Sequence, residues 1–335
     1  SLLVTASQIG AEKIAEDESE LPDVHLHDAA WEVVEQGPDS VIFRRLVPGS
    51  QLEFIKRYRL AKVPAQSRDD RSSPGYGLTF DLEIHNRGQA TQQVAYRLDG
   101  PTGLPVEGWW YANKIGRGWG GVGLRDMVVR FQDADPQLIG CASIVKGDVD
   151  RMDLDRSLMF AGVDAQYFAA VLIPQKQQLG DLWFANTEAI RVDPERDSKE
   201  KENPRLVNIT CRLTSQTVEV QPGGEPLRHA FTLFAGPKMP RLLARYGQPQ
   251  EMEVYNLKDL VYYGWFGWVA KPMLAILHAF YVVVRNYGIA IILLTVLVRG
   301  CMFPLSLKQT RNMQKMQELQ PEMKRIAEKY KNDME

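Results

Sequence analysis

Arg299 is the residue of this chain whose type and setting most clearly promise chemistry. It stands inside Tyr287–Leu307, an apolar run of 21 residues (YGIAIILLTVLVRGCMFPLSL). As a helix the run covers about 30 Å, the depth of a bilayer's hydrocarbon core. A guanidinium there costs on the order of 3 kcal/mol or more unless it faces water, a polar partner or the headgroups. By helical rise Arg299 lies about 18 Å from Tyr287 and about 12 Å from Leu307, near the limit of snorkelling. Thr295 lies one turn away on the same face, and Ser306 can extend the stripe. The chemistry of such a stripe is electrostatic: a cation in low dielectric attracts acidic and polar groups passing beside it. A polar groove is favoured over an arginine that merely snorkels to the headgroups.

No covalent chemistry is legible elsewhere. No nucleophile stands with a base in a recognisable signature, and no paired carboxylates are singled out, so enzymatic activity is not expected. The Asp and Glu residues on predicted strands alternate outward and read as solvent-facing. His25 and His27 lack further ligands at metal spacing and read as exposed histidines. Cys141 and Cys211 could form a disulfide in an oxidising compartment, but two well-separated cysteines are weak grounds for one, and Cys301 reads as a packing residue of the apolar run. Gly116–Gly123 (GRGWGGVG) lacks the lysine and Ser/Thr of a phosphate loop and reads as a surface loop. Trp109-Trp110-Tyr111 could stack on a sugar, but core or rim packing is the favoured reading of such a cluster in a sandwich. A net charge of −2 over 335 residues excludes a broad nucleic-acid surface.

The elements that must position these residues fall in two grammars. From about Trp31 to Leu233 the pattern is β. Leu78, Phe80, Leu82 and Ile84 alternate with Thr79, Asp81, Glu83 and His85, and Leu52–Leu60, Val94–Leu98 and Val207–Leu213 read similarly. Turns punctuate them at Gly37-Pro38-Asp39, Asn86-Arg87-Gly88, Asp99-Gly100-Pro101 and Pro222-Gly223-Gly224. The fold class is mainly β: a large antiparallel sandwich, followed by a helical membrane segment and a further helix. Pro194–Pro204 reads as a solvated charged loop.

Beyond Phe234 the pattern turns helical, with Met239–Tyr246 as a short connecting helix. The expected domains are a β-sandwich over 1–236, a connector over 237–256, an amphipathic helix over 257–285, a transmembrane helix over 286–308 and a helical arm over 309–335. Tyr262, Tyr263, Trp265, Phe266 and Trp268 suit a membrane–water boundary. Lys271-Pro272 interrupts the segment and leaves only Met273–Val284 as clean apolar sequence, about 18 Å long. An interfacial helix is therefore favoured over a second span. Lys308, Arg311, Lys315, Lys324, Arg325, Lys329 and Lys331 follow the apolar run, against Lys271 and Arg285 before it. With one span, this bias places the tail in the cytoplasm and the β-domain outside. Met313, Met316, Leu319, Met323, Ile326 and Tyr330 form an amphipathic seam, for packing against a second arm or as an adaptable docking face. Pro321 is expected to break or kink it. The chain begins without Met and ends within a helical pattern, so an upstream signal or anchor is expected.

The segment around Arg299 closely resembles the YidC family of bacterial membrane-protein insertases. The resemblance rests on Tyr287-Gly288, Thr295, Arg299-Gly300, Pro304 and the Met-rich stretch with Leu319-Gln320-Pro321. Tyr263-Gly264-Trp265, Lys271-Pro272, Phe234-Ala235-Gly236-Pro237, Asp164-Ala165-Gln166-Tyr167-Phe168 and Ile173-Pro174 add to it. It is strong from about Phe231 to Asp333 and diffuse through the sandwich. It implies a periplasmic β-supersandwich, an amphipathic helix at the outer membrane surface, the second of six transmembrane helices and the first arm of a cytoplasmic coiled-coil hairpin. It also implies a bacterial inner-membrane location and an Arg299-containing hydrophilic groove that receives nascent membrane proteins and assists their insertion and folding. The partners implied are client proteins, the Sec translocon, ribosome–nascent-chain complexes and membrane lipid, with no nucleotide or metal. The remaining groove helices are absent from this sequence, so by itself it is not expected to insert clients. The rival reading is a single-pass envelope protein whose sandwich senses a glycan.

Overall fold

Residues 2–15, 18, 20–63, 66, 70, 73, 75–105, 124–178, 180–192, 203–204, 206–246, 257–263 and 267–329 are described in a computed structural model of this chain. The chain divides into two units, Ser1–Tyr262 and Tyr263–Glu335. The expectations for Trp109-Trp110-Tyr111, Gly116–Gly123, Trp265, Phe266, Tyr330 and all but the last residues of Pro194–Pro204 fall outside the described residues.

In the first unit the strands are β1 (Leu3–Ile9), β2 (Glu12–Lys13), β3 (Glu32–Gln36), β4 (Ser40–Val47), β5 (Leu52–Leu60), β6 (Gly77–Asn86), β7 (Gln92–Asp99), β8 (Arg125–Phe131) and β9 (Gln137–Ile139). After helix α1 (Cys141–Lys146) come β10 (Met152–Asp153), β11 (Leu158–Ala165), β12 (Phe168–Pro174) and β13 (Phe184–Arg191). β14 (Ile209–Ser215), β15 (Val218–Val220) and β16 (Leu227–Pro237) complete the set. A nine-stranded sheet runs β3-β4-β5-β6-β16-β12-β11-β8-β9, and a seven-stranded sheet runs β10-β13-β14-β7-β1-β2 with β15 beside β7. β3–β4, β4–β5 and β11–β12 are sheet neighbours joined by short connections. A short turn also carries the chain from β6 in one sheet to β7 in the other, where Asn86 Oδ1 accepts the Gly88 N–H at 2.9 Å while its amide donates to Ala90 O and Val220 O. The architecture is the antiparallel, mainly β one that the alternation predicts.

The main core lies between the sheets. Phe54, Phe80, Ile84 and Phe231 come from the nine-stranded sheet, and Val4, Tyr96, Leu98 and Leu213 from the seven-stranded one. An aromatic row crosses β4, β5, β6 and β16: Phe43–Tyr58, Tyr58–Phe80 and Phe80–Phe231 centroids are 6.0, 5.0 and 5.8 Å apart. Such cross-strand pairs each add about 0.5–1.5 kcal/mol beyond area burial. A second core covers the other face of the nine-stranded sheet. Val128, Phe160, Val171 and Phe234 pack there with Leu242 and Leu243 of α2 (Pro240–Leu243), and with Leu257 and Leu260 of a 3₁₀ turn, Leu257–Leu260. β11 is therefore buried at every position. A strand covered on both faces gains from apolar residues throughout, which removes the alternation that marks a half-wet strand.

Two expectations change here. The strand carboxylates are not uniformly solvent-facing: Glu53 and Glu83 are each 7% exposed, Asp164 3% and Asp126 0%. Arginines on the same face explain part of this, with Arg87 Nη2 2.6 Å from Glu53 Oε2 and Arg57 Nη2 3.2 Å from Glu83 Oε2. The guanidinium charge and hydrogen bonds replace the water lost on burial. The sheet also begins earlier than Trp31. β1 is a central strand paired with β7, and a bulge between Ala6 and Gln8 breaks its alternation.

Cys141 and Cys211 are buried and unbridged. Cys141 Sγ donates to Pro204 O at 3.0 Å, while Cys211 lies beneath Gly100. Burial and nearby carboxylates push their thiols up to about 11 and about 12, so neither forms a reactive thiolate at neutral pH. In the native protein a membrane-impermeant maleimide is expected to leave both unlabelled, and both should react once the domain is unfolded. Labelling of either at the native rate of a free thiol would contradict this packing.

His229 on β16 is 5% exposed, stacks on Trp183 at 4.1 Å, and meets the Tyr96 hydroxyl through Nδ1 at 2.5 Å. Burial first, then the charge of Lys176, depresses its pKa to about 3. The folded state thus holds His229 neutral at a pH where the unfolded chain protonates it. Stability is unaffected above pH 6.5 and falls below it, by about 1.4 kcal/mol per pH unit from this residue. Urea unfolding at pH 6.5 and 5.0 is expected to show a loss of about 2 kcal/mol that is absent in His229→Phe. An equal loss in both proteins would remove His229 as its cause.

Candidate functional site

The second unit contains α3 (Gly267–Val284) and α4 (Tyr287–Lys329). The expected element over 257–285 is divided. Leu257–Leu260 is buried in the first unit, whereas α3 begins at Gly267. Pro272 lies inside α3 and does not interrupt it, because a proline near the first turn forfeits only one interior hydrogen bond. The helix is 18 residues, about 27 Å. Both α3 and α4 are long and apolar enough to cross a membrane, so the 12-residue limit inferred from Pro272 falls away.

Arg285 and Asn286 join the two helices. Arg285 adopts φ 53°, the left-handed conformation that ends a helix. Asn286 caps α4, its Oδ1 accepting the N–H groups of Gly288 at 2.8 Å and Ile289 at 3.3 Å. Tyr281 and Tyr287 stack across the corner with centroids 3.9 Å apart. Apolar side chains point outward along both helices: Trp268, Val283, Ile292, Val296 and Phe303 are 77, 81, 63, 64 and 62% exposed. Surfaces of this kind require a nonaqueous neighbour.

On α4, Thr295, Arg299 and Ser306 are all exposed. At about 100° per residue they fall within about 40° of one another around the axis. Thr310 lies in the same sector and was missed by the sequence reading, since it stands beyond the apolar run; its position four residues after Ser306 was the available signal. The Thr295 and Thr310 hydroxyls donate to Ile291 O at 2.8 Å and Ser306 O at 2.9 Å. Each hydroxyl is thereby satisfied locally and still offers its oxygen as an acceptor. Among the described residues Arg299 has no hydrogen-bond or ion-pair partner. Met313, Met316, Leu319 and Met323 are 65, 71, 52 and 68% exposed. The break expected at Pro321 is not present: α4 runs through Pro304 and Pro321 to Lys329.

In the first unit the motif residues from β11–β12 and β16 converge. Phe168 pairs with Pro237, and the Lys238 ammonium donates to both Asp164 oxygens at 2.9 and 3.1 Å and to Ala165 O at 3.1 Å. This buried pair forms part of the lining of a cavity of about 500 Å³, with Tyr167, Leu138 and Tyr262 around it.

Comparison with known families gives two matches, the first of which runs past the end of the first unit into α3. Residues 127–276 match the family described as YidC periplasmic domain, and residues 279–335 match the one described as 60Kd inner membrane protein. The chain belongs to the YidC family. Among YidC relatives, the membrane protein insertase of Syntrophus aciditrophicus is 32% identical over 204 residues, 58% of this chain and 33% of that protein. The one from Geobacter metallireducens is 40% identical over 121 residues, 36% of this chain and 21% of that protein. The one from Dinoroseobacter shibae is 35% identical over 131 residues, 39% and 21% of the two chains. The chain thus spans a third or less of these YidC relatives' length. Among solved structures, a putative aldose 1-epimerase from Escherichia coli superposes with a TM-score of 0.37 at 9% identity, covering 62% of this chain and 68% of that one.

Proposed function

We propose that this chain is part of a membrane-protein insertase. In this reading α4 supplies one wall of an intramembrane groove and Arg299 is its substrate-facing cation. The observation that carries the reading is the stripe of Thr295, Arg299, Ser306 and Thr310 along an otherwise apolar exposed helix, in a chain of this family. The hydrophilic tail of a nascent membrane protein must leave water to cross a bilayer. A groove of hydroxyls and one guanidinium lowers that desolvation penalty, and acidic residues in the tail gain attraction to the cation. No bond is made or broken.

The finer parts of the proposal follow from the same elements. The β-unit lies in the periplasm and the end of α4 in the cytoplasm, supported by the lysines and arginines after Leu307. α3 lies along the outer surface, supported by Lys271, His278 and the exposed Trp268. The Met313, Met316, Leu319 and Met323 face is offered to a cytoplasmic partner such as a ribosome–nascent-chain complex, and the Sec translocon is the partner in the membrane. Site-specific photo-crosslinkers at positions 295 and 299 test the groove. Crosslinks to nascent chains in membranes are expected; crosslinks to lipid alone would overturn it.

A further inference from the structure

The outer face of the seven-stranded sheet carries a polar cavity of about 840 Å³. It is formed by β1, β7, β13 and β14, with Asp150 and Arg151 at its edge. Three of its charged groups lack an ion-pair partner among the described residues: Arg97, Lys13 and Asp150. Arg212 makes two bonds to Asp99, at 2.6 and 2.9 Å, and lies 3.7 Å from Glu188. Arg151 Nε is 3.5 Å from Asp153. Arg97 has no carboxylate partner among the described residues: one terminal nitrogen donates to Glu18 O at 3.1 Å, and its Nε is buried without an acceptor. Burial, and then the neighbouring Arg212 and Arg151, lower its hold on the proton, although Asp99 and Glu188 offset part of this.

A second group points to a ligand independently. Ser7 is the extra residue of the β1 bulge, is 7% exposed, and lines the cavity with a buried hydroxyl that has no partner. Orphaned buried polar atoms are rare in native proteins, and two at one cavity mark a place where an outside group completes the bonding. Asn186 and Thr214 also line it and make no side-chain hydrogen bonds among the described residues.

We infer that this cavity binds an extended acidic polypeptide segment, one carboxylate going to Arg97 and its amides to Ser7, Asn186 and Thr214. The volume holds several residues. Asp150, Asp153 and Glu188 line the cavity beside the unpaired Arg97 and Lys13, so a singly charged carboxylate meets less repulsion there than a doubly charged phosphate. Rested on the insertase reading, the segment is the part of a client emerging outside, which is poor in lysine and arginine by the positive-inside bias.

The test is fluorescence anisotropy of a labelled ten-residue peptide of Ser, Thr and Gly with one central Glu. The protein is held in nanodiscs of zwitterionic lipid, and the partner peptide carries Gln in place of Glu. The Glu peptide is expected to bind at least tenfold more tightly than the Gln peptide, Arg97→Gln to abolish that preference, and Ser7→Ala to weaken binding severalfold. Thr214→Trp, a half-buried position at the cavity wall, should fill the cavity and block binding if Arg97→Gln does not fold. Equal binding of both peptides, no binding by either, an unchanged Glu preference in Arg97→Gln, or displacement by equimolar inorganic phosphate would each overturn the inference. Those outcomes leave crosslinking at Arg299 untouched, so they are separable from failure of the insertase reading.

Discussion

Replacing Arg299 by alanine is expected to slow insertion of a client with an acidic translocated tail by about 30-fold, with little effect on a client whose tail is neutral. The factor corresponds to about 2 kcal/mol, the size of one charge–charge attraction several ångströms long in a partly hydrated, low-dielectric groove. Arg299→Lys should restore part of the rate, since it keeps the charge and loses the planar fork. Protease protection of a radiolabelled client measures this directly, in membrane vesicles carrying each substitution within the complete insertase of which this chain supplies one groove wall. An arginine that only reaches the headgroups predicts no dependence on the tail's charge. Wild-type rates for the acidic client in Arg299→Ala would therefore sink the groove.

Gly162→Ala is expected to be the most disruptive small substitution in the β-unit. Gly162 sits on β11, paired with Val171 of β12 and Val128 of β8. A Cβ there would fall onto the Ala170 carbonyl oxygen and within 2.7 Å of the Val171 Cα. Both are backbone atoms of an interior strand, so no side chain can rotate to make room. The two sheet faces are covered by separate cores, and the strand cannot shift without disturbing both. Overpacking of this kind costs about 3 kcal/mol, which for a domain of this size lowers Tm by about 6–12 °C. Gly180 meets nothing within 4 Å of its would-be Cβ, and Gly180→Ala should stay within about 0.5 kcal/mol of wild type. Thermal melts of the two variants should therefore diverge; similar melts would show that the β11–β12 contact is looser than drawn.

The sequence shows the fold best where a strand has one covered and one polar face. Leu52–Leu60 is β5 as read, and Leu78–His85 lies within β6. β1 escapes the same reasoning because the bulge at Ser7 shifts its alternation midway, and Thr5 and Gln8 are buried on a face that polar residues normally leave open. Arg299 is legible because one cation in a long apolar run has few explanations. The cavity around Arg97 is not, because Ser7, Arg97, Asn186 and Thr214 come from four strands spread over some 200 residues, and only sheet order makes them neighbours. Buried carboxylates fail for a related reason: what covers Glu83 is Arg57 on one neighbouring strand and Arg228 on the other.

The unbroken course of α4 sets an angular phase. Forty-three residues form one rod of about 65 Å. Met316 stands 17 residues from Arg299, about 100° around the axis. The two faces thus belong to one continuous helix, with the lost backbone hydrogen bond at Pro304 as the one weak point between them. Adding one residue between Ser306 and Met313 would turn the two faces about 100° out of step, whereas adding four would nearly restore them. The helix behaves as a crankshaft on which the arginine and the methionines are keyed at a fixed angle.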